Sequence, residues 1–383
     1  MHYFDNAATT FPKPEAVYSQ MNEFYRNYGV NVGRGQFKEA SIANKMVDDT
    51  RNELLDLFHC NKGSRQVVFT SSATEAMNLV LRGLDLKKDD VVYTTYFEHN
   101  ATLRTLHYLE KTIGISVKML NQDKNSLLYD FDDIEKQFNL NHPRLLVVNH
   151  ASNVFGFVSP ISALFRIAKK YNAITIADMA QTAGLLDTNI LEIQCDYAVF
   201  AGHKTLYGPF GIAGLIAPNN CSLVPLILGG TGTESANLEM PKDEPIRYEA
   251  GSPNVLAISG LNASIKWIKS VGINNIRKKE EENNQKLLEV LNKYNNINVY
   301  DCKNCEKIGV VSCNFDNYSS DNMGQVLSNF GIATRTGLHC APKAHEFMGT
   351  APAGTVRFSV SYFTSSEELE KLDECLCYIE ENS

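Results

Sequence analysis

The sequence predicts an α/β protein with a mainly parallel sheet, and three observations carry that expectation. Between about Arg65 and Pro218, short β-branched runs alternate with amphipathic stretches, as parallel strands joined by covering helices do. The longest apolar runs, such as Gly211–Ala217, fall far short of the roughly 20 residues of a membrane span and read as buried strands. The composition is that of a folded, soluble chain: 44% hydrophobic and 21% charged residues, with 24 Gly and only 12 Pro. It excludes a disordered segment, a collagen repeat and a coiled coil.

The elements follow in order. Strands are expected at Gln66–Thr70, Asp90–Thr95, Arg144–Asn149, Ala173–Ala177, Tyr197–Ala201 and Gly211–Ala217, with helices among them at Ala73–Gly83 and Ile161–Tyr171. A short Gly-Pro turn joins the last two strands, so one antiparallel pair is expected there. Beyond Gly251 the pattern turns to long helix, Leu256–Val271 and then Asn275–Tyr294, which together make a link over about 255–294. The Lys278–Glu282 charge run is expected to be a solvated helix face. A further β/α region runs from Val299 to a helix at Ser366–Glu381. At 383 residues the chain exceeds one ordinary core. We divide it into a large domain, 11–250, and a small one formed by 1–10 with 251–383.

The net charge of −8 offers no basic face, so nucleic acid is not an expected partner. No basic-then-apolar leader opens the sequence, and no membrane association is expected. Nine Cys, an odd number scattered along the chain, speak against a disulfide framework and for a reducing, cytoplasmic setting.

Ligands of open parallel sheets bind beyond the carboxyl ends of the strands, and here those ends carry unusual polar clusters. Ser71-Ser72-Ala73-Thr74-Glu75 opens a helix whose free N–H groups suit an anion, though the same residues read as an ordinary N-cap. Glu98-His99-Asn100 follows the next strand. His107 lies two turns beyond His99, but no third ligand completes a metal set, so no metal is expected. Ser152-Asn153 follows the third strand. Asp178 ends the fourth and needs a cationic partner to offset its desolvation, or else caps a helix. Lys204, in Gly202-His203-Lys204, stands at the mouth of an apolar strand, where lost hydration lowers an amine's pKa and suits it to Schiff-base chemistry. Asp178 and Lys204 are 26 residues apart, about one further α-β unit, which places them at adjacent strand ends.

Taken in order, Asp5-Asn6-Ala7-Ala8-Thr9-Thr10, Ala73-Thr74-Glu75, Glu98-His99, Ser152-Asn153, Asp178-Met179-Ala180-Gln181, Gly202-His203-Lys204, Arg335-Thr336-Gly337-Leu338-His339-Cys340 and Arg357 resemble the class V aminotransferase superfamily and its cysteine desulfurase branch. The resemblance covers nearly the whole chain. It implies fold type I of the pyridoxal-phosphate-dependent transferases: a large domain with a mainly parallel seven-stranded sheet between helices, plus a smaller α/β C-terminal domain.

The resemblance also implies roles. Lys204 is the Schiff-base lysine, Asp178 the partner of the pyridinium nitrogen, and His99 the residue stacked on the ring. Gln181 and Asn153 lie near the ring hydroxyl. Ala73, Thr74 and His203 hold the phosphate of pyridoxal 5'-phosphate, helped by Ser252 from the other subunit of a homodimer with shared active sites. Where the family often carries serine two residues before the active-site histidine, this chain has Ala201, so one phosphate hydrogen bond is missing. Arg357, Arg335 and Asn153 would receive the substrate. Cys340 would attack sulfur, convert L-cysteine to L-alanine and keep the sulfur as a persulfide for an acceptor protein. Selenocysteine lyase and other class V aminotransferase or β-lyase activities are the alternatives, with a non-catalytic scaffold behind them. Cys302-x-x-Cys305 resembles a redox or metal pair, but no second such motif accompanies it.

Overall fold

The computed structural model describes residues 1–33, 35–302 and 305–382. A short strand β1 (His2–Tyr3) precedes helices α1 (Glu15–Tyr28) and α2 (Lys38–Leu57). The alternating region then runs β2 (Arg65–Thr70), α3 (Ala73–Gly83), β3 (Val91–Thr94), α4 (Asn100–Thr112), β4 (Ser116–Met119), α5 (Phe131–Leu140) and β5 (Pro143–Asn149). It continues with α6 (Ile161–Lys169), β6 (Ile174–Asp178), β7 (Tyr197–Ala201) and β8 (Ala213–Pro218). These strands form a seven-stranded sheet in the order β2-β8-β7-β6-β5-β3-β4.

Only β8 runs against the rest, because it returns from β7 by a tight turn and inserts between β7 and β2. The expected antiparallel pair is therefore present and is one of two. The seventh strand, β4, escapes the sequence pattern: Ser116–Met119 is half-buried at the sheet edge and carries no apolar run. One connection also differs from expectation. Between β6 and β7 the chain makes turns, with no helix, over 179–196. Gly184 sits there at φ +79°, and an added Cβ would meet Leu206, Ile268 and the Thr205 carbonyl at 2.9–3.0 Å.

After the turn region come α7 (Val255–Val271) and α8 (Ile273–Leu291), separated at Gly272, whose φ of 89° no helix interior accepts. Helix α7 packs on α1 and α2, while α8 packs on α11 (Ser366–Glu381). The remaining elements are β9 (Ile297–Tyr300), β10 (Val310–Phe315), α9 (Ser320–Asn329), β11 (Ile332–Ala333), β12 (Arg335–Gly337), α10 (Pro342–Met348) and β13 (Thr355–Ser359). They build a second sheet, β12-β13-β10-β9, and β1 pairs with β11. This second sheet has its own apolar core, including Leu287, Phe358, Leu372 and Leu376. Among the described residues no helix is long and apolar enough to cross a membrane.

Two features of this architecture position the site. The strand order reverses direction between β3 and β5, which opens a crevice beyond their carboxyl ends. The antiparallel pairing of β12 with β13 sets Arg335 opposite Arg357 and faces both toward that crevice's rim.

Candidate active site

A cavity of about 290 Å³ lies at the crevice. Its walls bring together Ala73, Thr74, His99, Asn153, Asp178, Gln181, His203, Lys204, Arg335, Cys340 and Arg357, every expected site residue but Ser252. Ser252 lines a separate cavity of about 730 Å³ with Arg51, Glu249 and the Gly230–Thr233 turn. The larger space is the poorer candidate for chemistry, because the lysine, aspartate, histidines and thiol converge on the smaller one.

Each wall follows from local structure. Helix α3 begins at the cavity: Ser72 caps it by accepting the Glu75 N–H, and the N–H groups of Ala73 and Thr74 have no partner within the helix. His99 caps α4, its Nδ1 accepting the Ala101 N–H at 3.1 Å, which places the ring proton on Nε2. Burial and the nearby cations Lys204, Arg335 and Arg357 lower the His99 pKa to about 3, so the ring is neutral. Asp178 is 5% exposed, and its Oδ1 accepts the Ala180 N–H at 3.0 Å. It forms no ion pair among the described residues. Burial raises its pKa against the opposing charge of Lys204. Burial likewise lowers Lys204 to about 8, opposed by Asp178 and assisted by Arg357 and Arg335.

On the opposite wall Arg357 is 1% exposed. Its Nη1 donates to the Asn153 carbonyl at 2.8 Å and its Nη2 to Asp5 Oδ1 at 2.5 Å, while Nε has no partner. Cys340 is exposed, with Arg335 Nη2 4.0 Å from its sulfur. His339 and Cys340 both adopt left-handed backbone, φ 46° and 59°, a conformation that neither side chain favours and that the surroundings must hold. Asn153 Nδ2 donates to the His339 carbonyl and the Asn100 N–H to the Cys340 carbonyl, pinning this turn to the large sheet.

The donor set fits pyridoxal 5'-phosphate. A buried carboxylate without a cation suits a protonated ring nitrogen, and the free N–H groups at α3 suit a phosphate. Asn153 Oδ1 and His203 Nδ1 are buried without partners in the cavity wall, as polar atoms awaiting a ligand are. The Lys204 amine, half-buried on the cavity wall, makes no hydrogen bond or ion pair among the described residues. No cluster of metal-ligating side chains occurs among the described residues.

Several contributors lie outside the expected set. Glu98 is fully buried, accepts from Thr95 Oγ1 and the Asn149 N–H, and is raised by burial to about 8, hence protonated at neutral pH. His339, lowered to about 2 chiefly by burial, lines the cavity beside Cys340. Ala7 and Ala8 line it as well, and Asp5 stands behind Arg357. The quoted N-terminal motif was the available signal for these last three. Cys302 and Cys305 are joined by a disulfide packed against the cluster that holds Phe97, Leu127, Phe155 and Phe157, a single local bridge of the redox kind and not a framework; the two residues between them lie outside the described ones.

A mostly parallel sheet whose strand ends gather a lysine, an aspartate and a histidine, facing an exposed thiol from the second sheet, defines an enzyme site of the fold type I kind. The chain belongs to the class V aminotransferase family, matching Aminotransferase class-V over residues 2–372. Its relatives are more particular. A protein of Pyrococcus abyssi named "Probable cysteine desulfurase" is 33% identical over 376 residues, covering 96% of this chain and 91% of the relative. The apo structure of a cysteine desulfurase from Thermococcus onnurineus superposes with a TM-score of 0.92 at 30% identity, covering 100% of this chain and 95% of the other. A cysteine desulfurase structure from Escherichia coli has a TM-score of 0.88 at 25% identity, covering 99% and 94%.

Proposed function

We propose that this protein is a pyridoxal-phosphate-dependent cysteine desulfurase: L-cysteine and the Cys340 thiol become L-alanine and a Cys340 persulfide. The observation that carries the reading is an exposed thiol on the same small cavity as a half-buried, unpaired lysine amine. Lys204 would hold the cofactor, Asp178 its ring nitrogen, and Ala73, Thr74 and His203 its phosphate, with neutral His99 against the ring and Gln181 and Asn153 near its hydroxyl. The bound ring supplies an electron sink for the substrate carbon skeleton.

Arg357 receives the substrate carboxylate, a task for its planar fork, and Asn153 and Arg335 line the same approach. The Lys204 amine, neutral above about pH 8, moves the proton on the substrate α-carbon. The Cys340 sulfur, 4.0 Å from Arg335 Nη2, attacks the substrate sulfur. The carbon–sulfur bond breaks, a sulfur–sulfur bond forms on Cys340, and the β-carbon takes up a proton. An exposed sulfur suits delivery to an acceptor protein.

Ser252 reaches a phosphate only from a second copy, since it lines a different cavity from its own chain's Lys204; this supports a homodimer with shared sites. A cytoplasmic location accords with the free thiols at Cys60, Cys221, Cys340 and Cys377. The test is an absorbance spectrum with and without cysteine, followed by the mass of the Cys340 peptide. Added sulfur on Cys340, lost in Cys340→Ala together with sulfide release, is the expected result. Undiminished sulfide from Cys340→Ala overturns the mechanism, and turnover of selenocysteine alone makes the protein a selenocysteine lyase instead.

A further inference from the structure

Arg357 is a buried cation whose charge is already met inside the protein. Asp5 Oδ1 takes one Nη2 hydrogen at 2.5 Å and the Asn153 carbonyl takes one on Nη1. Nε–H is the nitrogen left without a partner. Asp5 does not line the cavity, whereas Arg357 does. The carboxylate thus grips the guanidinium from behind and leaves an edge for a ligand.

Asp5 is itself held firmly. It bridges to Ser359, two residues beyond Arg357 on β13, and the Ser359 N–H donates to the Phe4 carbonyl at 2.7 Å. Asn6 Nδ2 donates to the Ser359 carbonyl and the Ala7 N–H to Ser359 Oγ, both at 2.8 Å. The same segment reaches the lysine wall. Thr9 Oγ1 and Lys13 Nζ donate to the His203 carbonyl, and Thr10 Oγ1 donates to the Lys204 carbonyl at 2.8 Å. One stretch of nine residues therefore ties the arginine to the lysine across the cavity.

The charges favour the same conclusion. Arg335 and Arg357 lie side by side on paired strands. Without Asp5 they present two positive charges; with it they present one, matched to a single carboxylate. A guanidinium held on two sides also loses less rotational freedom when it binds a third oxygen acceptor.

We propose that Asp5 is a positioning residue for the substrate carboxylate, orienting the cavity-lining guanidinium of Arg357 toward an amino acid's α-carboxylate. The inference rests on the reading of Arg357 as the carboxylate receptor. Asp5 acts through Arg357 and does not touch the substrate.

The test uses cofactor-loaded enzyme with Asp5→Asn, Asp5→Glu and Arg357→Lys, and two ligands followed by cofactor absorbance. L-Alanine carries the carboxylate, whereas cysteamine keeps the amine and thiol but lacks it. Asp5→Asn is expected to weaken alanine binding and raise KM for cysteine about 10- to 100-fold, the scale of one charge-assisted hydrogen bond. It should leave cysteamine binding unchanged and kcat within about threefold, the mark of lost ground-state binding. Asp5→Glu should recover part of the loss, and Asp5→Asn added to Arg357→Lys should cost nothing further. If Arg357→Lys weakens alanine while Asp5→Asn does not, the proposal fails and the arginine reading stands. If Arg357→Lys leaves alanine binding intact, the arginine reading itself fails. Equal weakening of alanine and cysteamine by Asp5→Asn marks general damage and also overturns the proposal.

Discussion

The two walls of the cavity are built on different terms. On the large-sheet wall, Asp178 and Lys204 follow adjacent strands β6 and β7, both carry pKa shifts driven by burial, and neither has an ionic partner. On the second-sheet wall, Cys340 is exposed, sits on left-handed backbone and stands within 4.0 Å of Arg335. The first wall keeps charge dry and fixed, as a cofactor's electronics require. The second keeps a thiol at the edge of solvent. In the proposed reaction, holding the cofactor and delivering sulfur are separate tasks, and they fall to residues of separate sheets.

That division breaks most visibly by removing one wall at a time. Lys204→Ala is expected to abolish both the coloured cofactor complex and turnover, by about 10³-fold or more. Cys340→Ser should lose sulfur transfer to a similar extent while its absorbance spectrum and alanine binding stay those of the parent. A colourless Cys340→Ser protein sinks the comparison.

A second test follows the pH. With its amine free, Lys204 titrates at about 8 because burial disfavours its charged form. The neutral, nucleophilic amine therefore grows with rising pH. Recombination of cofactor-free protein with pyridoxal phosphate should speed up about tenfold from pH 6 to 7 and level off above pH 8. Asp178→Asn removes the charge that holds this pKa up, so the plateau should move to lower pH. A rate independent of pH across this range contradicts the dry-wall account.

Smaller effects sharpen it. Ala201 precedes His203 by two residues at the mouth of the cofactor cavity, and Ala201→Ser restores one donor. Cofactor affinity, measured by dialysis against the apo form, should rise about fivefold, the value of one hydrogen bond near 1 kcal/mol. Gly337 enters the Cys340 turn at φ +91° with nothing within 4 Å of an added Cβ. Gly337→Ala should therefore cost about 1 kcal/mol from backbone conformation alone, seen as a lowered Tm with an unaltered cofactor spectrum.

Much of the large-sheet wall could be read in advance because its evidence is local. Each strand end carries its polar cluster within a few residues of an apolar run, so Thr74, His99, Asp178 and Lys204 announce themselves. The helix-free passage from Asp178 to Lys204 was not readable in this way, since its 26-residue span suits a helix, whereas the chain makes turns there and Gly184 takes the non-helical φ of +79°. Edge strand β4 was missed because a half-buried strand needs no apolar run. Glu98 belongs to a legible motif, but its raised pKa comes from full burial, which outweighs the hydrogen bonds that Thr95 and Asn149 donate to it.

What the sequence by itself determined is the inventory: a parallel α/β sheet, the order of its strand-end motifs, a lysine and an aspartate at neighbouring strands, and, only through the family resemblance, a cysteine set apart from eight others. Short-range patterning and residue chemistry suffice for that. Only the tertiary structure decided which charges meet. Asp5 and Arg357 are 352 residues apart, and their ion pair exists because β13 returns the chain to the N-terminal segment. It also decided that Ser252 opens on a different cavity and that Cys340 is exposed while Arg357, beside it, is dry. Burial and pairing depend on what packs around a residue, and packing across hundreds of residues leaves no periodic mark in the sequence.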